Sequence, residues 1–323
     1  MLDSRQLHYF LAICEQGSLA GASDHLRIAS SALSHHVTQL EQHLGTPLFR
    51  RKPRGMEPTA AGLRLQEHAR GIMRAIAAAE TDLRDSAGKV SGPVSVGMSF
   101  SAVKAIGVPF ITRVTQTYPD VQLALTESLS GTQLPHLLAA DVDMALVYNP
   151  PGNLGIETLP VLEERMVCVG HRDLIGTSDA PITFDELLEL PQILLRQGVS
   201  ARAILDDTTL LKRIESRARL QMNSIQAIAG AIEAGLGCII GTRLFMHDQL
   251  ERGQVRARPI VSPELSRRLY LCRMANRPPT YASEALAQEL LTQVRMAVTE
   301  GRWEAQLLFD GGAICATLGA RGS

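Results

Sequence analysis

Hydrophobic positions recur at helical spacing along the first sixty residues. Leu7, Phe10, Leu11 and Cys14 form an i, i+3, i+4, i+7 stripe that stops at Gly17, a natural helix terminator. Ser18 is placed to cap a second short helix with Leu19, Ala22 and Leu26 inward, and Arg27 to Ala29 reads as a turn. Ser30 to Leu44 then repeats Leu33, Val37, Leu40 and Leu44 on one face of a third helix. From Thr59 to Ser86, Leu65, Ala69, Ile72, Ile76, Ala79 and Leu83 recur with the 3.5-residue period of a two-helix coil, and Gly88 to Pro93 ends that helix as a hinge.

Beyond the hinge, strand and helix patterns alternate. Val94, Val96 and Met98 predict a strand followed by a helix near Ser101 to Tyr118. Val121, Leu123 and Leu125 predict the next strand, followed by a helix after Gly131. Met144 to Tyr148 is almost wholly apolar, as expected when both faces of a parallel sheet are covered. Val161 to Val169 reads as a crossover into a second sheet holding Ile193 to Leu195, Leu220 to Met222 and Cys238 to Ile240. Arg268 to Cys272 returns to the first sheet, which the helix after Ser283 completes. The expected fold class is α/β: a small helical domain with a wing over residues 1–58, a linker helix over 59–88, and a two-lobed domain over 89–300. The lobes take about 92–162 with 268–300, and about 163–267, leaving a tail at 301–323. The tail, with Trp303, Leu307 and Leu308 ahead of several glycines, suggests a short docking helix with a disordered end.

The outer face of the third helix carries Ser31, His35, Thr38 and Gln42, flanked by Ser34 and Gln39. Such short hydroxyl and amide side chains hydrogen-bond base edges and phosphates, and no acid stands among them to repel a polyanion. A polar face is ordinary for a surface helix; its setting gives it weight. Two short helices, a turn and a longer polar-faced helix follow the helix-turn-helix order, in which the last helix lies in the major groove. Arg50, Arg51, Lys52 and Arg54 come directly after, and read either as a solvated basic turn or as a wing gripping the phosphate backbone.

These residues resemble the amino-terminal winged helix-turn-helix of the LysR-type transcriptional regulators. Ala32 to Ser34, Leu40 with Glu41, LGTPLFRR at Leu44 to Arg51 and PTAAG at Pro58 to Gly62 stand at that family's relative spacings. The family ordinarily has Gln where this chain has Ser30; a serine there serves either the DNA contact or the helix cap. The resemblance implies a linker helix that dimerises, a roughly palindromic promoter site in double-stranded DNA, and a dimer or tetramer acting with RNA polymerase. It implies a carboxy-terminal domain similar to periplasmic solute-binding proteins, with a small effector between its lobes. Hydroxyl and amide groups at predicted helix starts are the candidates for that site: Ser99 and Ser101; Ser128, Ser130 and Thr132; Gln197 and Ser200; and Asn223 beside Ser224. Helix amino termini attract carboxylates, so a small anionic effector is expected, with Arg196 or Arg202 as its charge partner. The run from Leu137 to Gly170 is similar to the branch of the nitrogen assimilation control regulator, which leaves an effector-independent regulator with a vestigial cleft as the alternative.

Composition agrees with this organisation. The chain has 323 residues, enough for a small domain plus a large core, with 45% hydrophobic and 4% aromatic residues. No apolar run reaches membrane-span length and no signal segment opens the chain, so a cytoplasmic protein without membrane contact is expected. Net charge is −1, so attraction to nucleic acid has to come from local basic residues. Cys14, Cys168, Cys238, Cys272 and Cys315 are widely spaced and read as reduced thiols. His35, His36 and His43 lie on diverging sides of the third helix, so no metal or cofactor is expected. Gly97, Ser99 and Ser101 lack the last glycine of a nucleophile elbow, and Gly235, Gly237 and Gly241 do not fit a dinucleotide loop. A regulator is therefore expected, with a plain small-molecule binding module second and an enzyme a distant third.

Overall fold

The computed structural model describes residues 2–53, 55–84, 90–129, 132–152, 155–195 and 207–310. They form two compact units, the first of residues 1–89 with 138–141 and the second of the remaining residues from 90 on. Residues 85–89, which include Gly88 and Lys89 of the expected hinge, Cys315 and the tail beyond 310 lie outside the described residues.

The first unit contains α1 (Ser4–Gln16), α2 (Leu19–Leu26), α3 (Ser30–Leu44), the hairpin β1 (Phe49–Lys52) and β2 (Gly55–Pro58), and α4 (Ala60–Arg84). Gly17 ends α1 in the left-handed region, and the Ser18 hydroxyl accepts the Gly21 N–H to start α2. Leu7, Phe10, Ile13, Ala22, Leu33, Val37, Leu40 and Leu48 bury a common core. Two expectations change here. Leu44, the last residue of the α3 stripe, is 37% exposed because the helix turns away at Gly45. The residue capping α3 is Ala29, with no side-chain hydrogen bond, so Ser30 is an exposed first helical residue and does not cap.

Close backbone contacts hold the wing. Glu41 Oε1 accepts the N–H groups of Leu48 (2.7 Å) and Phe49 (3.2 Å), folding the chain after Gly45 back onto α3. Gly17 O accepts the Met56 N–H at 2.7 Å, and a Cβ on Gly55, whose φ is +145°, would fall 2.2 Å from that oxygen. Thr59 begins α4 by donating its hydroxyl to Pro47 O and accepting the Gly62 N–H. A Cβ on Gly62 would stand 2.1 Å from Leu48 O.

The long stripe on α4 serves two surroundings. Its first part is spent inside the unit: Ala69 is fully buried, and Ala61, Leu65 and Met73 pack on the same core. The expected coil seam is corrected at Ala69, which has no surface left for a partner, while Leu65 is half-buried. Further along, Ile72 is 40%, Ile76 36% and Leu83 78% exposed, with Ala79 exposed beside them.

The second unit has two six-stranded sheets among the described residues. The first contains β3 (Gly92–Ser99), β4 (Val121–Ser128), β5 (Met144–Tyr148) and β6 (Ile156–Arg165). The second contains β7 (Val167–His171), β8 (Ile182–Thr183), β9 (Gln192–Leu195), β10 (Ala218–Met222), β11 (Cys238–Gly241) and β12 (Val255–Val261). Then β13 (Ser266–Met274) and β14 (Gln306–Leu307) return to the first. The orders are β14-β6-β13-β5-β3-β4 and β10-β9-β11-β7-β12-β8. β5 is buried throughout, as its apolar run predicts. The chain passes between the lobes at Met166 and again ahead of Leu265, and the Met166 N–H donates to Leu265 O at 2.8 Å.

The short α5 (Phe100–Ala102) leads through a π-helical turn at Val103–Gly107 into α6 (Val108–Thr117). That helix and α13, the nineteen-residue Tyr281–Thr299, cover the first sheet with Phe110, Leu286, Leu290 and Val294. The intervening helices are α7 (Gln133–Leu138), α8 (Arg172–Ile175), α9 (Phe184–Leu188), α10 (Thr208–Arg217), α11 (Ile225–Glu233) and α12 (His247–Glu251). The described part of the tail, residues 301–310, is not a docking helix: Trp303 is 1% exposed, β14 pairs with β6 at Leu162 and Glu163, and the Leu308 N–H donates to Val161 O. An apolar indole with one N–H gains more from a sheet edge with a waiting acceptor than from solvent.

Gly62→Ala is expected to destabilise the first unit by about 1–3 kcal/mol, since the new methyl meets a backbone carbonyl that cannot swing aside. Denaturant unfolding followed by separate probes for the two units should show the loss in the first only. An unchanged first transition would contradict this packing.

Candidate nucleic-acid interface and ligand cleft

The unburied face of α3 gathers the polar residues singled out from the sequence. Ser30, Ser31, His35, Thr38, Gln39 and Gln42 are exposed and Ser34 is half-buried. The Thr38 hydroxyl donates to Ser34 O at 3.0 Å, which leaves its oxygen free to accept from a donor outside the helix. His36, one position from His35, turns inward instead and packs its ring on Tyr9 with centroids 5.0 Å apart. The helix thus presents hydroxyls, amides and one imidazole, a set suited to base edges and phosphates.

On the wing, Arg50, Arg51 and Lys52 are exposed, and Arg54 lies outside the described residues. Glu57, which sequence reasoning passed over, tempers them. It stands across the ladder from Arg50 and is ion-paired with Lys52, whose hydrogen bond holds the Glu57 carboxyl below the usual carboxylate range. The register of a four-residue hairpin would have placed Glu57 opposite Arg50.

In the second unit a narrow cleft of about 60 Å³ lies between the lobes. Hydrocarbon lines most of it, including Phe100, Leu129, Ile193, Ile225, Ile228, Ile239 and Phe245, while Ser101, Thr242 and Arg267 form the polar end. Of the described hydroxyl and amide candidates, Ser101 alone stands on its wall. Ser99, 1% exposed, caps α5 by accepting the Ala102 N–H. Thr132 donates to Ser128 Oγ or Leu129 O, both at 2.7 Å, closing a local turn. Asn223 and Ser224 are exposed, and Ser224 caps α11. Ser130, Arg196, Gln197, Ser200 and Arg202 lie outside the described residues. The Gly97 of the apparent nucleophile motif has a packing role: a Cβ there would fall 2.3 Å from Gln133 Oε1.

The charged centre of the cleft was missed from the sequence. Arg267 on β13 faces Glu164 on β6 in direct register. Its Nε and Nη2 donate to Glu164 Oε1 at 2.6 and 2.5 Å, Nη2 reaches Ser101 Oγ at 3.4 Å, and the guanidinium lies 3.7 Å from the Tyr148 ring centre. The other Glu164 oxygen, Oε2, accepts the Trp303 indole N–H at 2.8 Å. Burial works against the Arg267 charge, but the Glu164 carboxylate and Tyr148 more than offset it and hold its pKa above the usual value. Burial also keeps the Tyr148 phenol protonated. Period-two parity on β13 offered a signal, because Arg267 shares its face with the buried Leu269 and Leu271.

The thiols are set apart from this chemistry. Burial pushes those of Cys14 and Cys272 up to about 12, and a hydrogen bond with Cys238, then burial, raises that of Cys168. Among the described residues no group of three or more His, Cys, Asp and Glu side chains is placed to hold a metal ion, and no helix is long and apolar enough to cross a membrane.

Comparison with known proteins agrees with both units. The nitrogen assimilation regulatory protein nac of Klebsiella aerogenes is 34% identical over 241 residues, covering 74% of this chain and 78% of that protein. A full-length OxyR variant from Pseudomonas aeruginosa shares the fold at 18% identity with a TM-score of 0.67, over 92% of this chain and 95% of that one. CbnR complexed with its target DNA shares it at 20% identity with a TM-score of 0.61, over 92% and 100%. Residues 4–63 match the bacterial regulatory helix-turn-helix protein of the lysR family, and residues 87–295 match the LysR substrate binding domain. The chain therefore belongs to the LysR family, as a DNA-binding transcriptional regulator with an effector-binding domain.

Proposed function

We propose that two copies of this chain, joined through the exposed stripe of α4, set two α3 helices on a roughly palindromic promoter site in the cytoplasm. A small effector held between the lobes alters the oligomer and so its action with RNA polymerase, without catalysis. The observation that carries the reading is the acid-free, exposed polar face of α3 beside the cationic β1. Ser30, Ser31, Ser34, His35, Thr38, Gln39 and Gln42 are assigned to the groove, and Arg50, Arg51, Lys52 and Arg54 to the phosphates. Ile72, Ile76, Ala79 and Leu83 form the dimer seam. A second reading has its own support: the cleft measures only about 60 Å³, and Phe100 of one lobe meets Phe245 of the other, ring centroids 5.8 Å apart, without any ligand. On that reading the regulator acts independently of an effector.

Arg51→Ala should weaken binding to every DNA sequence alike and lower the slope of log K against log salt by about one unit. His35→Ala and Thr38→Ala should instead shift base preference, at about 1–3 kcal/mol per lost discriminating contact. Titration of a footprinted site and a scrambled one at several salt concentrations separates the two, and uniform losses for both kinds of variant would refute the assignment. For the seam, Ile76→Asp and Leu83→Asp should convert dimers to folded monomers in sedimentation. Ala69→Asp should unfold the first unit instead; monomer formation without unfolding there would move the seam.

A further inference from the structure

We infer that the cleft accepts an uncharged, mainly apolar molecule bearing one hydrogen-bonding group, and discriminates against carboxylates. The inference rests on the reading of the cleft as an effector site and names the ligand class. Among the described residues lining it, Arg267 is the single charged side chain. Its guanidinium is 5% exposed and is answered by Glu164 Oε1 at 2.6 Å. Glu164 is itself 1% exposed and is fixed from behind by the Trp303 indole. A carboxylate entering the cleft gives up its hydration to meet a cation whose field is already cancelled by a buried carboxylate.

An amide, ketone or alcohol gives up far less, and a hydroxyl waits for it. Thr242 lines the cleft at 4% exposure, and its Oγ1 has no hydrogen-bond partner among the described residues. A threonine hydroxyl both donates and accepts, so it can serve either half of an amide. Ile193, Ile225, Ile228 and Phe245 meet the hydrocarbon of the ligand. Thr242 is the expected ligand contact. Glu164 acts through Arg267 as a positioning residue for specificity. Of the helix-start residues expected to hold a carboxylate, the described Ser128, Thr132, Asn223 and Ser224 do not line the cleft.

Trp303 is the protein's one tryptophan and is bonded to Glu164, so its emission reports on this centre. Full-length protein is titrated with isobutyramide and with isobutyrate, which have the same shape and opposite charge status, with calorimetry alongside the fluorescence. The amide should saturate at a concentration at least tenfold below the anion. Thr242→Val should weaken the amide several-fold, and Glu164→Gln, by freeing the Arg267 charge, should reverse the order of the two probes. Isobutyrate binding wild-type protein as well as the amide would overturn the ligand class while leaving the effector reading standing. Binding of neither probe by either measurement would overturn both and favour the permanently closed cleft. Unchanged amide affinity in Thr242→Val would overturn the assigned contact, and an unreversed order in folded Glu164→Gln would overturn the role of Glu164. Should Glu164→Gln fail to fold, the wild-type comparison and Thr242→Val decide.

Discussion

The second unit turns on one buried ion pair. Glu164 and Arg267 face each other on the two strands that carry the chain between the lobes, one position before β6 ends and one after β13 begins. Burying two charges is a poor route to stability, since lost hydration cancels most of the attraction. Its value is in position. The pair sets the register of the crossing strands, places a cation at the wall of the cleft and then neutralises it. Removing either partner alone would leave a charge with no access to water, so Arg267 and Glu164 work as one unit. Trp303 makes the tail part of that unit: β14 on the edge of the first sheet brings an indole N–H to the remaining carboxylate oxygen.

The first unit shows a comparable economy in α4, where a single hydrophobic stripe is divided along its length. Near the start it seals the winged domain through Leu65 and Ala69, and past Met73 it leaves Ile76, Ala79 and Leu83 exposed. Isoleucine and leucine at 36% to 78% exposure are an unfavourable end state for an isolated helix, and a second copy of the same helix would remove the disadvantage without any new sequence. Because the helix closing the reading domain is continuous with the exposed seam, joining two copies there would fix the separation of their α3 helices.

Much of this organisation was legible in the sequence where one physical signal decides each element. The helix stripes of α1 to α4, the Gly17 stop, the Ser18 cap and the apolar β5 follow from periodicity and capping chemistry. The cleft was less legible because hydroxyls at helix starts are ambiguous: Ser99, Thr132 and Ser224 satisfy their own backbone, and of the described candidates only Ser101 meets the cleft. The residues that set its charge come from positions 164 and 267, with Trp303 fixing Glu164, and their convergence depends on two crossing strands and a returning tail. Period-two parity flags Arg267 as inward, but no local pattern names Glu164 as its partner, since that requires the register of β6 on β13. Of the two readings open for Ser30, DNA contact or helix cap, the cap fails: a favoured capping residue type sits one position inside the helix and the cap falls to Ala29.

Charge placement joins the two units in one argument about specificity. With a net charge of −1 the chain gains no general attraction to a polyanion, and the wing's cations are partly held in check by Glu57. In the cleft, Arg267 is held in check in the same way by Glu164. At both places a cation on its own would bind any anion in reach, phosphate backbone or metabolite, with little regard for shape. A carboxylate beside each lowers that indiscriminate attraction and, on the proposed assignments, leaves the decision to short-range contacts: hydroxyls and amides on α3 for bases, and Thr242 with the isoleucine wall for the ligand. A weaker overall grip is the condition under which those contacts can discriminate, because specificity is the difference between two affinities and a charge that serves both alike adds nothing to it.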